Sequence, residues 1–462
     1  MLLQVFGSLR ARANSPLGYR VILRIGLPLI AGMLSTTLME FTDRLFLSRY
    51  SLISIAAALP AAAAAMVPQL ALAGLCGYVS TLIAQYAGAG RPERIGCVLW
   101  QGIWISLAGA LLLALSSLGA DALFAWVGHD PETAAQEAAY FSILNVCGLF
   151  FLLNSVFGGF FTGLGTTRAV LLVNLAGTLL NIPLDYALIF GWSIFPELGI
   201  RGAAIATVCG QAFSTLVFAA LIARPANLRR CNIPRGFRPD REMILRLLRF
   251  GTPSGINMSV DLLAFTWFIL EVGKLGQAAL AASNLAFSIN MLIFMPMLGM
   301  TSAVSVLTGK AMGRGRPEDA IQVTQNALHL SLFYMLPVAV CCAFFGGPLL
   351  DLFLGGDPGP AYQSVRETGI VLLYYVAAYS LVDACNIVYL GALKGAGDTV
   401  AVLLLLGGAA LFCLVLPIAA LKALDLVTLH SLWLAFTAYV VIMALAARLR
   451  FGLGKWRNIR MI

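Results

Sequence analysis

The chain has 462 residues, 60% of them apolar and only 11% charged, where an ordinary soluble domain carries about 25% charged residues. That composition excludes a soluble enzyme. At about 20 apolar residues per spanning helix the length suits roughly ten to twelve helices with short loops, and leaves no large extramembrane domain. The 30 Lys and Arg against 21 Asp and Glu give a net charge of +9, but they fall between apolar segments instead of forming basic runs on a folded surface. The excess therefore reads as membrane topology and not as nucleic-acid binding.

Nine cysteines, most of them inside apolar stretches, form no CxxC metal pair and no disulfide framework. His129, His329 and His430 lack HExxH spacing, so a histidine metal site is not expected. The basic start MLLQVFGSLRARANSPLGYR has no short apolar core ending in a small-residue cleavage site, so no cleaved signal peptide is expected.

Apolar stretches bounded by Gly, Pro or charge run over 21–48, 53–86, 96–127, 137–161, 168–192, 200–223, 247–273, 278–309, 323–354, 367–391, 400–421 and 427–448, which predicts twelve spans. Pro60 and Pro68 predict a long, bent second span. With both termini inside, the inner segments hold Arg10, Arg12, Arg20, Arg24, Arg91, Arg94, Arg168, the cluster from Arg224 to Arg249, Lys310, Arg314, Arg316, Lys394 and the tail from Arg448 to Arg460. Only Arg44, Arg49, Arg201, Lys274, Arg366 and Lys422 stay outside. The positive-inside rule then places both termini in the cytoplasm. The one long polar stretch, 223–242, nearly halves the chain, and its Cys231 is expected to face the cytoplasm as a topological probe.

The halves repeat. Arg24-x-Gly26-x-Pro28 recurs as Arg249-x-Gly251-x-Pro253, and Gly88-Ala-Gly90-Arg91-Pro92-Glu93 as Gly313-Arg-Gly315-Arg316-Pro317-Glu318, both at an offset of 225. Gly159-x-x-x-Gly163-x-Gly165-x-Thr167 recurs as Gly391-x-x-x-Gly395-x-Gly397-x-Thr399 at 232. Turn and helix-packing roles account for the glycines but not for the shared offsets. The expected organisation is an N-lobe of six helices over residues 1–228, a basic linker over 229–242 and a C-lobe of six helices over 243–462. Because six is even, the lobes are parallel repeats about the membrane normal, and the substrate path is expected between them.

A charge at the centre of a spanning helix costs about 2.5–3.5 kcal/mol on insertion scales. The deep candidates are Glu40, Asp43, Asp185, Asp261 and Asp383, and no Lys or Arg is expected at equal depth, since Arg44 can extend outward. Asn181 and Asp185 lie one helical turn apart and share a face. With Asp43 and Thr207 they supply hard oxygen ligands for a small cation, or alternatively an aspartate that carries a proton. Glu40 is either a further proton or substrate contact, or a partner of Arg44. Tyr379 and Asp383 are also i and i+4, and Asp261 lies in the seventh span. The acidic clusters of the two halves do not occupy repeat-related positions.

These elements together resemble the multidrug and toxic compound extrusion (MATE) family of the multidrug/oligosaccharidyl-lipid/polysaccharide flippase superfamily. The resemblance covers all twelve spans. It rests on Gly26-x-Pro28 followed by Asp43 in FTDRLFL, Asn181-x-x-x-Asp185, GAAIAT in the sixth span, both GxGRPE loops and Gly395-x-Gly397-Asp398-Thr399. It implies an all-α polytopic fold of two six-helix lobes around a V-shaped central cavity. It further implies an N-lobe cation site of Asp43, Asn181, Asp185, Thr207 and the main-chain carbonyl of Ala203, coupled to Na+ or H+, with Na+ held at Asp43, Asn181, Asp185 and Thr207 in the sodium case. Asp261, Tyr379 and Asp383 match a C-lobe cluster whose seventh-helix acid is usually glutamate in NorM-like members. The shorter Asp261 leaves open whether that cluster takes ion or substrate, and Glu40 departs from the uncharged polar residue common there.

Two rivals bear on function. A lipid-linked oligosaccharide flippase calls for cations in the cavity to meet a pyrophosphate, where this chain offers acids. An intramembrane aspartyl protease is suggested by GxGD at Gly395–Asp398, but the chain has no Tyr-Asp dipeptide. Asp398 sits in the repeated loop, where a helix-start cap is the better reading. The expected protein is a multi-pass antiporter of the bacterial inner membrane and not an enzyme. It is expected to need no cofactor beyond its coupling ion, to act as a monomer among membrane lipids on small cationic or amphipathic compounds, and to bind no nucleic acid.

Overall fold

The computed structural model describes residues 17–192, 194–353 and 359–462. Arg10 and Arg12, counted above toward the inner charge, lie outside them. No strand occurs among the described residues. The helices are α1 (Tyr19–Tyr50), α2 (Leu52–Gly77), α3 (Val79–Gly88), α4 (Ile95–Ser117), α5 (Ala120–Val127), α6 (Pro131–Val146), α7 (Gly148–Leu164), α8 (Thr167–Phe190) and α9 (Ile200–Ile222). After the short α10 (Pro225–Arg230) come α11 (Arg241–Gly273), α12 (Gln277–Gly313), α13 (Pro317–Phe344), α14 (Gly346–Asp351), α15 (Pro360–Ala396), α16 (Thr399–Ala409), α17 (Leu416–Ala423) and α18 (Leu429–Gly452). Among the described residues eleven helices are long and apolar enough to cross a membrane, or twelve when the bent pair α6 and α7 counts as one span. Exposed Leu107, Leu111, Leu112 and Leu115 on α4 illustrate the apolar outer surface that only lipid can cover.

Several spans differ from the apolar pattern. The third ends at Ser117, and α5 is a separate short helix. The fourth bends by 44° between Val146 and Gly148 with no proline there, so hydropathy could not reveal it. The ninth stops at Phe344 before α14, and six residues of the eleventh, Ala410–Val415, wind as a π segment. The polar stretch after α9 is not an open linker. Cys231, Ile233 and Gly236 are buried, and the Gly96 N–H at the start of α4 donates to the Cys231 carbonyl at 2.9 Å. Burial also pushes the Cys231 thiol above its ordinary range. A polar-reagent probe at Cys231 is therefore blocked by packing from either side.

The described chain forms two compact units. One comprises Pro28–Ser259, Gly313–Gly315 and Met461–Ile462; the other holds Val260–Met312, Arg316–Arg460 and the chain up to Leu27. The boundaries thus fall within α1 and α11, next to Pro28 in one and six residues after Pro253 in the other. The first unit, here the N unit, has a small-residue core of Ala57, Ala58, Ala61, Ala65, Ala203 and Ala204 capped by Phe124 and Phe141. Alanines let helix backbones approach closely, which is the main source of packing energy where lipid removes the hydrophobic drive. The C unit instead packs around aromatics. Trp433 stacks on Phe287 with centroids 4.7 Å apart and donates its indole N–H to Ser283 at 3.1 Å.

The repeat holds at the level of backbone. Gly90 and Gly315 take φ of +69° and +68°, and Gly165 and Gly397 take +83° and +94°, conformations that favour glycine. Equivalent helices touch at equivalent points. A Cβ on Gly163 would lie 2.5 Å from the Ser80 carbonyl within the N unit, and one on Gly395 would collide with the Ser305 carbonyl within the C unit. Ser80 and Ser305 are again 225 residues apart.

Candidate functional site

In the N unit, glycines bring α8 and α9 together. A Cβ on Gly210 would press on Asn181 at 3.2 Å and on the Gly177 carbonyl, and one on Gly202 would collide with the Leu188 carbonyl. Thr178 ties α8 to α1 by donating to the Ser35 carbonyl at 3.2 Å. Three helices are thereby locked around one level, and the polar side chains of that level meet. The Thr207 hydroxyl donates to Asp43 Oδ2 at 3.2 Å, and the carboxyls of Asp43 and Asp185 lie close enough to act on each other's charge.

The cluster is buried: Asp43 is 7% exposed, and Asn181 and Asp185 are fully covered. Its polar atoms are nevertheless under-satisfied. Asp43 Oδ1, both Asp185 oxygens, and Asn181 Oδ1 and Nδ2 find no hydrogen-bonding partner. Buried polar groups are nearly always paired, so this concentration of orphaned oxygens marks a place that a proton or a hard cation can complete. Ala203 is fully buried one turn before Thr207 on α9. Tyr140 of α6, buried and close enough to feel the charges of Glu40, Asp43 and Asp185, is a neighbour that sequence reasoning missed, being one tyrosine in an apolar run. Glu40 lies on the exposed side of α1. Arg44 is near enough to act on its charge, but no ion pair within 4 Å joins them among the described residues.

In the C unit, Asp261 of α11 keeps accessible surface and accepts from the Tyr439 hydroxyl of α18 at 3.5 Å. Asp383 of α15 accepts from Asn386 Nδ2 at 3.1 Å, and each aspartate lies in the electrostatic field of the other. Tyr379 is buried beside them, but its hydroxyl meets no partner, so it is not bonded to Asp383. Lys394, expected only in the loop, acts by its charge on Asp261. Tyr439 and Asn386 are additions that sequence reasoning passed over. Asn386, three residues after Asp383, was accessible from helical spacing, whereas Tyr439 required the fold.

Two further buried acids were missed. Glu137, fully buried in α6, meets His129 Nδ1 at 2.8 Å. Glu271 at the end of α11 is clasped by Lys274 Nζ at 2.8 Å and by Lys422 Nζ at 2.9 Å. Asp398 needs correction: its side chain makes no cap bond. Both its oxygens accept from Arg450, at 2.7 and 3.0 Å, so the aspartate of the GxGD motif is not free for protease chemistry. Among the described residues no group of three or more His, Cys, Asp or Glu side chains is placed to hold a metal ion.

The MatE family model matches residues 28–187 and again 253–421, two separate matches that begin at the repeat-related Pro28 and Pro253. The chain belongs to the MatE family. It is a multi-pass membrane transporter and not an enzyme. A probable multidrug resistance protein NorM of Pseudomonas putida is 28% identical over 381 residues, covering 82% of each chain, and that of Thermotoga maritima is 25% identical over 95% of this chain and 93% of the other. Among solved structures, the outward-facing conformation of a multidrug resistance MATE family transporter of the MOP superfamily superposes with a TM-score of 0.84 at 24% identity, covering 94% and 96% of the two chains. A MOP superfamily transporter from Pyrococcus furiosus gives 0.85 at 23% identity over 95% and 96%. These likenesses confirm the all-helical MATE fold.

Proposed function

We propose that the chain is a secondary active multidrug efflux antiporter that exports cationic or amphipathic organic compounds in exchange for H+ or Na+. The observation that carries this reading is the buried Asp43, Asn181, Asp185 and Thr207 cluster with its unpartnered oxygens. A proton or Na+ entering down its gradient completes the cluster and removes net negative charge from the N unit. Its differential affinity for two conformational states then shifts the equilibrium between them. The names of the NorM relatives support the substrate class. Asp261 and Asp383, with Tyr379, Tyr439 and Asn386, form a second acidic site that serves substrate choice more than coupling, since Lys394 already acts on one of its charges.

The test is uptake of a fluorescent cationic dye into inverted vesicles under proton and sodium gradients imposed separately. Gradient-dependent uptake is expected with at least one ion. Asp261→Asn and Asp383→Asn are expected to lower dye uptake severalfold without loss of folded protein, because removing a charge from within a spanning helix lessens the cost of insertion. Uptake that ignores both gradients sinks the antiporter reading.

The same reading places the chain in the inner membrane as a monomer with both termini in the cytoplasm. Since Cys231 is packed away, the exposed Ala226 of α10 is the better probe. In a variant with the nine native cysteines replaced, Ala226→Cys is expected to react with an impermeant maleimide only after the membrane is opened. Labelling of intact cells reverses the orientation.

A further inference from the structure

The segment after α9 is held in one place more firmly than a topological linker requires. Besides the Gly96 bond, Trp100 donates its indole N–H to the Ile233 carbonyl at 2.9 Å and Trp104 to the Phe237 carbonyl at 3.0 Å. Gln101 bridges the Arg238 carbonyl at 3.1 Å and the Asp240 N–H at 3.1 Å. Gly236 lies against the backbone of Gly96 so closely that a Cβ would come within 2.5 Å of it. Trp104 stands nine residues beyond the start of α4, about 13 Å along its axis at 1.5 Å per residue. The segment therefore climbs the side of a spanning helix and does not hang free below it.

The residues displayed at this end of a spanning helix suit the zone where headgroups meet acyl chains. Phe237 is 50% exposed and packs edge-on to Trp100 and Trp104, with centroids 4.8 and 5.5 Å away; such aromatic clusters settle at membrane interfaces. Along the same segment, Arg224, Arg229, Arg230, Arg235 and Arg238 are exposed and form no ion pair among the described residues. The nearby acids are already engaged, Asp240 by Arg94 at 3.9 Å and Glu242 by Arg246. Solvated arginines kept only for topology need neither a fixed backbone nor an aromatic floor.

We propose that this docked segment is a binding site for an anionic phospholipid, with the phosphodiester on Arg235 and Arg238 and the glycerol and upper acyl region against Phe237 and Trp104. Guanidinium groups match phosphate oxygens in charge and in geometry. The site depends on the chain being a membrane protein and not on the ion-coupling reading.

Native mass spectrometry of the full chain in mild detergent, titrated with phosphatidylglycerol or with phosphatidylcholine, tests it. Phosphatidylglycerol is expected to remain bound at concentrations where phosphatidylcholine does not. Arg235→Gln with Arg238→Gln should weaken retention by roughly tenfold or more, since each cation near an anionic lipid surface contributes about a fivefold factor. Arg49→Gln with Arg201→Gln, also exposed, should leave it unchanged. Phe237→Ala should weaken lipid retention as well, which gives a second reading if the double variant folds poorly. Equal retention of the two lipids, wild-type retention in the Arg235 and Arg238 variant, or displacement of the lipid by millimolar inorganic phosphate overturns the proposal.

Discussion

Asp185→Asn is expected to abolish gradient-driven efflux while leaving a folded, membrane-inserted protein. The carboxyl is fully buried, faces Asp43, and neither of its oxygens has a partner. The amide has nearly the same shape, and its neutrality removes an insertion cost of about 2.5–3.5 kcal/mol, so there is no reason for the fold to suffer. It does remove one of the two carboxyls, so the acid pair that a proton or cation would neutralise no longer exists, and a ligand whose affinity no longer differs between two states shifts nothing. In reconstituted vesicles the response to either gradient should fall to the level of protein-free controls, with dye binding partly retained. A full response to an imposed gradient would falsify the coupling role of the N unit. Asn181→Ala refines the result. Because the Asn181 amide makes no hydrogen bond within the protein, its removal breaks no structural bond. A transport loss on the order of tenfold, the value of one interaction with a charge, should therefore appear under a sodium gradient, where its oxygen is a ligand. Under a proton gradient the change should stay within about twofold.

The sequence disclosed so much because the membrane makes buried charges expensive and because the repeat carries backbone landmarks. Ionisable groups in apolar spans stand out because each is costly, and three helices do bring Asp43, Asp185 and Thr207 together. The repeat was legible because its landmarks are glycines at left-handed backbone conformations that most residues avoid, as at Gly90 and Gly315. What stayed hidden depends on partners instead of composition. Glu137 and Glu271 stand at or near the ends of their apolar stretches, and only the fold shows them buried against His129 and against two lysines. Lys394 was assigned by its place along the chain, whereas a long side chain at a helix end can reach inward as well as outward. The stretch around Cys231 reads as linker because it is polar, yet its backbone finds partners in two tryptophans and a glutamine of α4, which no hydropathy profile contains.

Arg450→Met is expected to produce a large loss of stability at a site outside the transport clusters. Asp398, 6% exposed at its side chain, has both oxygens on Arg450, whose own side chain is 25% exposed. Its position before α16 brings no compensating side-chain cap. Removing the arginine leaves a buried carboxylate without its counter-charge. Breaking a fully buried pair in this way costs about 3–5 kcal/mol, and the partial exposure of Arg450 brings the expectation down to roughly 2–3 kcal/mol. The effect should be asymmetric. Asp398→Asn leaves an arginine that can turn toward water, so its cost should be near 1 kcal/mol, the scale of a single hydrogen bond. The double variant should recover much of the loss, because the uncompensated charge is gone and a methionine fills part of the vacated volume. Thermal unfolding of the three variants in one detergent, followed by intrinsic fluorescence, measures the order. If Arg450→Met melts with the wild type, or if the double variant is as unstable as the arginine variant alone, the pair is not what secures this loop, and Asp398 must be held there by the backbone alone.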